Sequence, residues 1–246
     1  RNSLGLITNL KTKDNEYLYE YDLSGNLTTV QDSRAGIKMN YTYDSYGRCI
    51  QKQTEGFGVS YSYDNCGRIS KIEDLNTNNY VMISYDSCNR EVERFYSTGM
   101  RTSFFYNQWG CLEGIVTKDN YNRLISADFI LFDDKGRITL EANHEGLWKR
   151  YSYDENGRLI KCVYPFTDEL FEQYKNEARS CGLSVKEGEK SGEYISLSTE
   201  EIQSLEELLQ RTQAQANVSI ARSMTAWSET FEYAETGSVA ESHNNI

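Results

Sequence analysis

The sequence is short of the residues on which many functions depend. It has one proline, Pro165, and two histidines, and no apolar run near the roughly 18 residues that a membrane-spanning helix needs. A single proline excludes collagen-like and proline-rich disordered classes. His144 and His243 lie far apart in the chain, so a catalytic triad or a histidine-rich zinc site has little to draw on. We therefore expect no catalytic residues, no metal site and no cofactor.

Basic residues are outnumbered by acidic ones, and closely spaced cysteine pairs are missing. Lys and Arg number 26 against 37 Asp and Glu, which gives a formal net charge of −11. Nucleic-acid binding rewards basic residues through counterion release, so no nucleic-acid partner is expected. No two of the six cysteines have the Cys-x-x-Cys spacing of a zinc or redox motif. We expect free thiols and no membrane insertion.

Tyrosine is abundant, with 19 residues, and much of it lies in a repeated pattern, Tyr-Asp-x-x-Gly-Arg. Seven copies start between positions 21 and 153, at intervals of 20 to 26 residues, and an eighth starts at position 233. Three copies are complete: Tyr43, Asp44, Gly47, Arg48; Tyr63, Asp64, Gly67, Arg68; and Tyr153, Asp154, Gly157, Arg158. The degenerate copies contain Tyr21, Asp22, Gly25; Tyr85, Asp86; Tyr106, Gly110; Asp133, Gly136, Arg137; and Tyr233, Gly237.

Each copy predicts a β-hairpin. The segment before the turn alternates, as in Tyr41-Thr42-Tyr43, which places both rings on one face of a strand. Asp starts a turn by bonding its own backbone, and Gly supplies the positive φ that closes the turn. In one copy Asn89 takes the glycine position, for which Asn is the next best residue. After the turn, apolar residues fall three apart, as at Leu27 and Val30, and a β-bulge would account for that spacing.

The fold class predicted is mainly β, an antiparallel β-hairpin repeat meander with a helical insertion. Residues 1–166 form a repeat sheet of about seven copies and about fourteen strands, 167–226 an acidic helical insertion, and 227–246 a resumed, truncated repeat. In the insertion, 168–179 reads as a short helix, and a capping box at Ser198 and Glu201 begins a second, amphipathic one. Two interpretations of the insertion stay open: it is an amphipathic hairpin packed on the sheet, or it is a docking surface for another part of the parent chain or for a partner.

The motif and its period resemble the RHS, or YD-repeat, family over about residues 4–166 and again over 227–246. In that family the hairpins stack side by side into a β-sheet that spirals into a hollow shell. Members include bacterial polymorphic toxins, the cocoon-forming component of insecticidal toxin complexes and the cell-adhesion teneurins. The core motif rich in Asp, Pro and Gly, at which the toxin members are cleaved, has no counterpart here, so no autoprotease or toxin domain is carried over. The sequence also lacks an initiator Met, which favours an internal piece of a longer chain.

The resemblance implies a structural role. We expect a segment of an RHS-type shell that encapsulates or presents another domain of a secreted or cell-envelope protein, without catalysis of its own. Its partners would be the remaining repeats and the cargo domain of the parent chain. The alternative is a glycan- or receptor-binding adhesion module, in which the tyrosine and arginine side chains form the binding surface. An enzyme is a distant third hypothesis, because no catalytic constellation supports it.

Overall fold

The structure is a computed structural model that describes residues 1–165, 193–214, 223–233 and 239–245. Within these ranges the chain forms eighteen strands and one α-helix. The chain divides into two compact units, Arg1–Thr102 and Ser103–Ile246. The fold is mainly β, and the predicted antiparallel hairpin meander is confirmed. The predicted helix at 168–179 lies outside the described residues, and the division at 166 and 226 stays a prediction.

The first unit is a meander in which each strand pairs antiparallel with the next one along the chain. Its strands are β1 Asn9–Lys11, β2 Glu16–Tyr21, β3 Leu27–Asp32, β4 Ile37–Tyr43, β5 Cys49–Gln53, β6 Gly58–Tyr63, β7 Ile69–Asp74, β8 Tyr80–Tyr85 and β9 Glu91–Tyr96. Every predicted Tyr-Asp copy in this unit joins two strands, because the tyrosine ends one strand and the residue after the arginine position begins the next.

A β-bulge follows each of these turns. In the β4–β5 hairpin Tyr43 pairs with Cys49 but Thr42 pairs with Gln51, so Ile50 is an extra residue on the returning strand. The same shift occurs in the other Tyr-Asp hairpins of the unit. The extra residue returns Leu27 and Val30 to the same face although they are three apart, and the predicted bulge is confirmed.

The first unit has no conventional core. All of its residues are described, and none of its apolar side chains is fully buried. One face carries the half-buried tyrosines of the Tyr-x-Tyr-Asp segments; we call it the tyrosine face. The opposite face carries exposed polar side chains such as Asn40, Thr42 and Ser62. Stability must therefore come from contacts between neighbouring hairpins, which is the usual situation in repeat proteins.

The second unit contains the buried core and the helix. Its strands are β10 Arg101–Tyr106, which contains the boundary, β11 Leu112–Lys118, β12 Leu124–Phe132, β13 Ile138–Asn143, β14 Trp148–Tyr153, β15 Leu159–Pro165, β16 Glu193–Ser196, β17 Ser223–Tyr233 and β18 Val239–Asn245. Strands β11 to β15 pair in succession. Strand β17 pairs antiparallel with β15, β16 and β18.

The helix, α1 Thr199–Arg211, begins with the predicted capping box of Ser198 and Glu201. Its residues Leu205, Leu208 and Leu209 are buried in a cluster that also contains sheet residues, the largest of them Phe129, Leu140 and Trp148. On β14, Trp148 alternates with Lys149 and Tyr151, so the helix covers the face opposite the tyrosines. One helix of the insertion is therefore packed on the sheet, whereas the rest of the predicted amphipathic hairpin lies outside the described residues.

One ion pair fastens the start of α1 to the sheet. The guanidinium of Arg150 on β14 donates from Nε to Oε1 of Glu201 at 2.8 Å and from Nη2 to the carbonyl oxygen of Ser196 at 3.0 Å. Glu201 also accepts the backbone N–H of Ser198 at 2.7 Å. Because one carboxylate both caps the helix and binds the sheet, helix formation and docking depend on the same residue.

Candidate functional site

The repeated turn is built around one carboxylate. In the copy at Tyr43, Oδ1 of Asp44 accepts the backbone N–H groups of Tyr46 and Arg48, each at 2.9 Å. The N–H of Gly47 donates to the carbonyl of Asp44 at 3.0 Å, with Gly47 at φ +78°. The same hydrogen bonds recur at Asp22, Asp64 and Asp86. We call this arrangement the YD turn. The aspartate side chain accepts hydrogen bonds from backbone N–H groups that would otherwise have no partner in such a tight turn.

The arginine of the motif binds the same carboxylate. Its Nε donates to Oδ2 of the turn aspartate at 2.7 Å in six turns, those of Asp44, Asp64, Asp86, Asp119, Asp133 and Asp154. The backbone N–H and the guanidinium of Arg68 together lower the pKa of Asp64, and Arg90 and Arg158 act in the same way on Asp86 and Asp154. These carboxylates are therefore occupied and ionised, which suits turn formation better than acid–base catalysis.

The YD turns at Asp44, Asp64 and Asp133 also contact the hairpin that follows them. The hydroxyl of Tyr63 donates to the carbonyl oxygen of Cys49, in the preceding hairpin, at 2.7 Å. The guanidinium carbon of Arg48 lies 4.5 Å from the centre of the Tyr63 ring, a cation–π contact. Equivalent hydroxyl bonds join Tyr43 to Leu27, Tyr85 to Ile69 and Tyr153 to Ile138, and equivalent ring contacts join Arg68 to Tyr85 and Arg137 to Tyr153.

This series of contacts, which we call the YD ladder, assigns a task to each repeated residue. Asp and Gly shape the turn, Arg links its own turn to the next tyrosine, and that tyrosine reaches back to the preceding strand. Burial against neighbours raises the pKa of Tyr63, Tyr43 and Tyr153, so these hydroxyls stay protonated as donors at physiological pH. The sequence interval between motif copies therefore determines which neighbouring hairpins can make these contacts.

Degenerate copies keep part of the geometry. Asn89 has φ 64° at the glycine position, and its Oδ1 accepts Nη1 of Arg68 at 2.7 Å. Asn107 replaces the aspartate and still accepts the N–H groups of Trp109 and Cys111. Asn26 replaces the arginine and donates to Asp22 at 2.9 Å. Tyr233 ends β17, whereas Gly237 lies outside the described residues.

Three further turns of this type escaped the sequence pattern. Asn2, Asp119 and Asn143 each accept the backbone N–H groups two and four residues ahead. Asp119-x-x-Asn-Arg matches the turn at Asp86, but Lys118 stands where the tyrosine is expected. A search for Asp or Asn three residues before Gly or Asn, without the tyrosine, would have found all three. The copies at Tyr106 and Phe132 are 26 residues apart because the strands between them are long, with 7 residues in β11 and 9 in β12.

Metal-ligating side chains, cysteines and apolar helices can be surveyed over the described residues. No group of three or more His, Cys, Asp or Glu side chains in those ranges is placed to hold a metal ion. The five cysteines in the described ranges are free thiols. Among the helical residues described, none forms a segment long and apolar enough to cross a membrane.

Comparison with known families agrees with the geometry. Hairpins that repeat about every 21 residues and are joined turn to turn define a β-hairpin repeat protein. The family model "Teneurin YD-shell" matches residues 2–111 and 35–241. The chain belongs to the teneurin YD-shell family, which confirms the resemblance drawn from the repeats. No curated protein sequence matches the chain at a significant level.

Solved structures show the same fold. The chain is similar to a crystal structure of TcdB2–TccC3–Cdc42, with 12% identity and a TM-score of 0.64 over 97% of this chain and 12% of the other. It is equally similar to the Photorhabdus luminescens Tc holotoxin pore carrying a substitution in TccC3, with 12% identity, a TM-score of 0.64, and coverage of 97% and 11%. The chain therefore spans about an eighth of the length of these structures.

Proposed function

We propose that the chain is a wall segment of a YD shell that encloses or presents another domain of its parent protein. The observation that carries this proposal is the YD ladder. The turn at Asp44, for example, binds the next hairpin through Arg48 and Tyr63, so hairpins add side by side without a buried core in the first unit. A sheet built in this way extends by repetition, as a wall requires.

Family membership and fold support the same role. The segment acts without catalysis of its own, and its partners are the neighbouring repeats and the enclosed domain of the parent chain. Relatives named in toxin complexes and teneurins favour a secreted or cell-envelope location. The turn residues of the repeats, from Tyr21 to Tyr233, have a structural role: they shape the hairpin turns and hold neighbouring hairpins together.

Limited proteolysis of the full-length parent protein tests the proposal. An enclosed domain resists protease in the native protein and becomes sensitive when Arg48→Ala and Tyr63→Leu weaken two contacts of the wall. A conservative change at an exposed loop residue, Ser33→Ala, should leave the protection unchanged. If each of the other domains is cleaved at the same rate in the native protein as in the double variant, the proposal that the segment encloses one of them is overturned.

A second candidate, a glycan- or receptor-binding surface, rests on a different set of tyrosines. Within the described ranges, Tyr19, Tyr41 and Tyr61 are half-buried on the tyrosine face, and their hydroxyls make no hydrogen bond to protein. A row of aromatic rings on one face can stack against saccharides, and their hydroxyls can hydrogen-bond sugar hydroxyl groups. Binding on a glycan array that is lost in Tyr41→Ala and kept in Thr42→Ala, on the opposite face, would support this candidate; no saccharide bound by the native chain would remove it.

A further inference from the structure

In regular repeats the arginine of one turn occupies a defined slot against the next turn. Arg68 shows its walls: the Asp64 carboxylate at 2.7 Å, the Tyr85 ring at 4.5 Å and the carbonyl oxygen of Asp86 at 3.5 Å. Arg137 makes the equivalent three contacts, at 2.7, 4.6 and 3.5 Å, in the second unit. The slot thus holds a guanidinium between a carboxylate, an aromatic face and a carbonyl.

The first repeat keeps these walls but lacks the arginine. Asn26 stands at that position, and its short amide donates to Oδ2 of Asp22 at 2.9 Å. The corresponding walls are Asp22, the Tyr43 ring and Asp44, and all three line a cavity of about 520 Å³ beside Asn26 and Gly47. Within the first unit, which is described throughout, Tyr43 has no cation over its ring and Asp22 forms no ion pair.

The charge of the slot fits a cation. Hydrogen bonds from the Asn26 side chain and backbone lower the pKa of Asp22, so its carboxylate is ionised at neutral pH without a counter-ion from the described residues. Asp44, which is already paired with Arg48, lines the same cavity, and its backbone carbonyl has the sequence position in this repeat that the carbonyl of Asp86 has relative to Arg68. The cavity is therefore anionic at one end and aromatic along one wall.

We propose that the slot between Asp22 and Tyr43 binds a guanidinium group supplied in trans, by an arginine side chain of a partner polypeptide. The group lies over the Tyr43 ring and donates to Oδ2 of Asp22, in the same way as Arg68 lies over the Tyr85 ring and donates to Oδ2 of Asp64. Arginine fits better than lysine because its planar, five-donor head reaches a carboxylate and a carbonyl together while it stacks on a ring.

A titration followed by NMR tests the site on the full chain. The probe is N-acetyl-arginine amide, and the citrulline analogue, of the same shape without the charge, is its control. We expect shifts of the backbone amides of Asn26, Asp44 and Gly47 that saturate in the millimolar range with the arginine probe and are absent with citrulline. Equal shifts from both probes, or shifts spread evenly over the turns of Asp64 and Asp86, would overturn the proposal, as would no shift at all.

Two variants place the binding in this slot. Asn26→Arg fills it from within the chain; we expect loss of the arginine-probe shifts and a rise in melting temperature of about 4 °C. Asp22→Asn removes the charge but keeps a turn that the chain already builds on Asn107, and we expect at least about tenfold weaker binding. Unchanged binding in a folded Asn26→Arg protein, or in Asp22→Asn, would refute the assignment.

Discussion

Gly67 offers the sharpest test of the turn geometry. Its φ of +81° is open to glycine and to few other residues, and a Cβ placed there would meet only Nη1 of Arg48, at 3.7 Å. The cost of a side chain at this position is therefore backbone strain and not a collision. Because valine is β-branched, Gly67→Val should lower the free energy of unfolding by about 2 kcal/mol.

Asparagine should behave in the opposite way. Asn89 holds φ 64° in the next repeat, and its Oδ1 accepts Nη1 of Arg68 at 2.7 Å. Arg48 occupies the same place relative to Gly67, so Gly67→Asn gains a charge-assisted hydrogen bond. At an exposed turn that bond is worth about 0.5 kcal/mol, which offsets the residual strain. We expect Gly67→Asn to be as stable as the native chain or slightly more so.

Gly25→Asn is the matched control. Gly25 has the same turn position and a φ of +86°, but its Cβ direction faces Leu6 and not a guanidinium. Urea unfolding should therefore rank the native chain and Gly67→Asn together, Gly25→Asn below them, and Gly67→Val lowest. Equal losses for Gly67→Asn and Gly67→Val would refute the positive-φ argument, and equal effects of the two asparagines would refute the arginine contact.

The remaining predictions concern the ladder, the helix and acid stability. Tyr63→Phe, which loses the bond to Cys49, should cost about 1 kcal/mol in urea unfolding, whereas Tyr61→Phe should cost under about 0.5 kcal/mol, and equal costs would contradict the hydroxyl assignment. Arg150→Met should cost about 2 kcal/mol and speed proteolysis within 197–214, whereas Arg101→Met, whose exposed pair with Glu93 spans 3.9 Å, should change neither; an unchanged cleavage rate in Arg150→Met would exclude its docking role. Because the turn aspartates have lowered pKa values, their stabilisation is complete above the unfolded-state pKa of about 3.9 and is lost as the pH falls through the folded-state values, so a melting temperature that stays constant from about pH 5 to pH 2 would contradict the carboxylate-centred turn.

The repeat pattern predicted the hairpins because its residues act locally. Asp, Gly and the alternating tyrosines determine turn and strand within six or seven positions, so the turns at Asp44, Asp64 and Asp154 could be derived without tertiary information. The bulge also followed from local spacing, at Leu27 and Val30.

Contacts between hairpins could not be derived in this way. Nothing in the sequence says that the Tyr63 hydroxyl reaches Cys49 or that Arg48 lies over the Tyr63 ring, because both depend on the offset between neighbouring strands. The turn at Asp119 was missed because the search required a tyrosine that stabilises the ladder but is not needed for the turn itself. Docking of α1 through Arg150 joins residues 51 positions apart and left no local signal.

Coupling between neighbouring hairpins is the central claim, and a double-mutant cycle measures it directly. Arg48→Ala and Tyr63→Leu, made singly and together, should show a coupling energy of about 1 kcal/mol in urea unfolding, because either substitution alone removes the contact between Arg48 and the Tyr63 ring. The reference cycle combines Arg48→Ala with Tyr85→Leu, whose ring contacts Arg68 instead, and its coupling should stay below about 0.3 kcal/mol. Equal coupling in the two cycles, or none in either, would contradict a ladder that runs from each turn to the next.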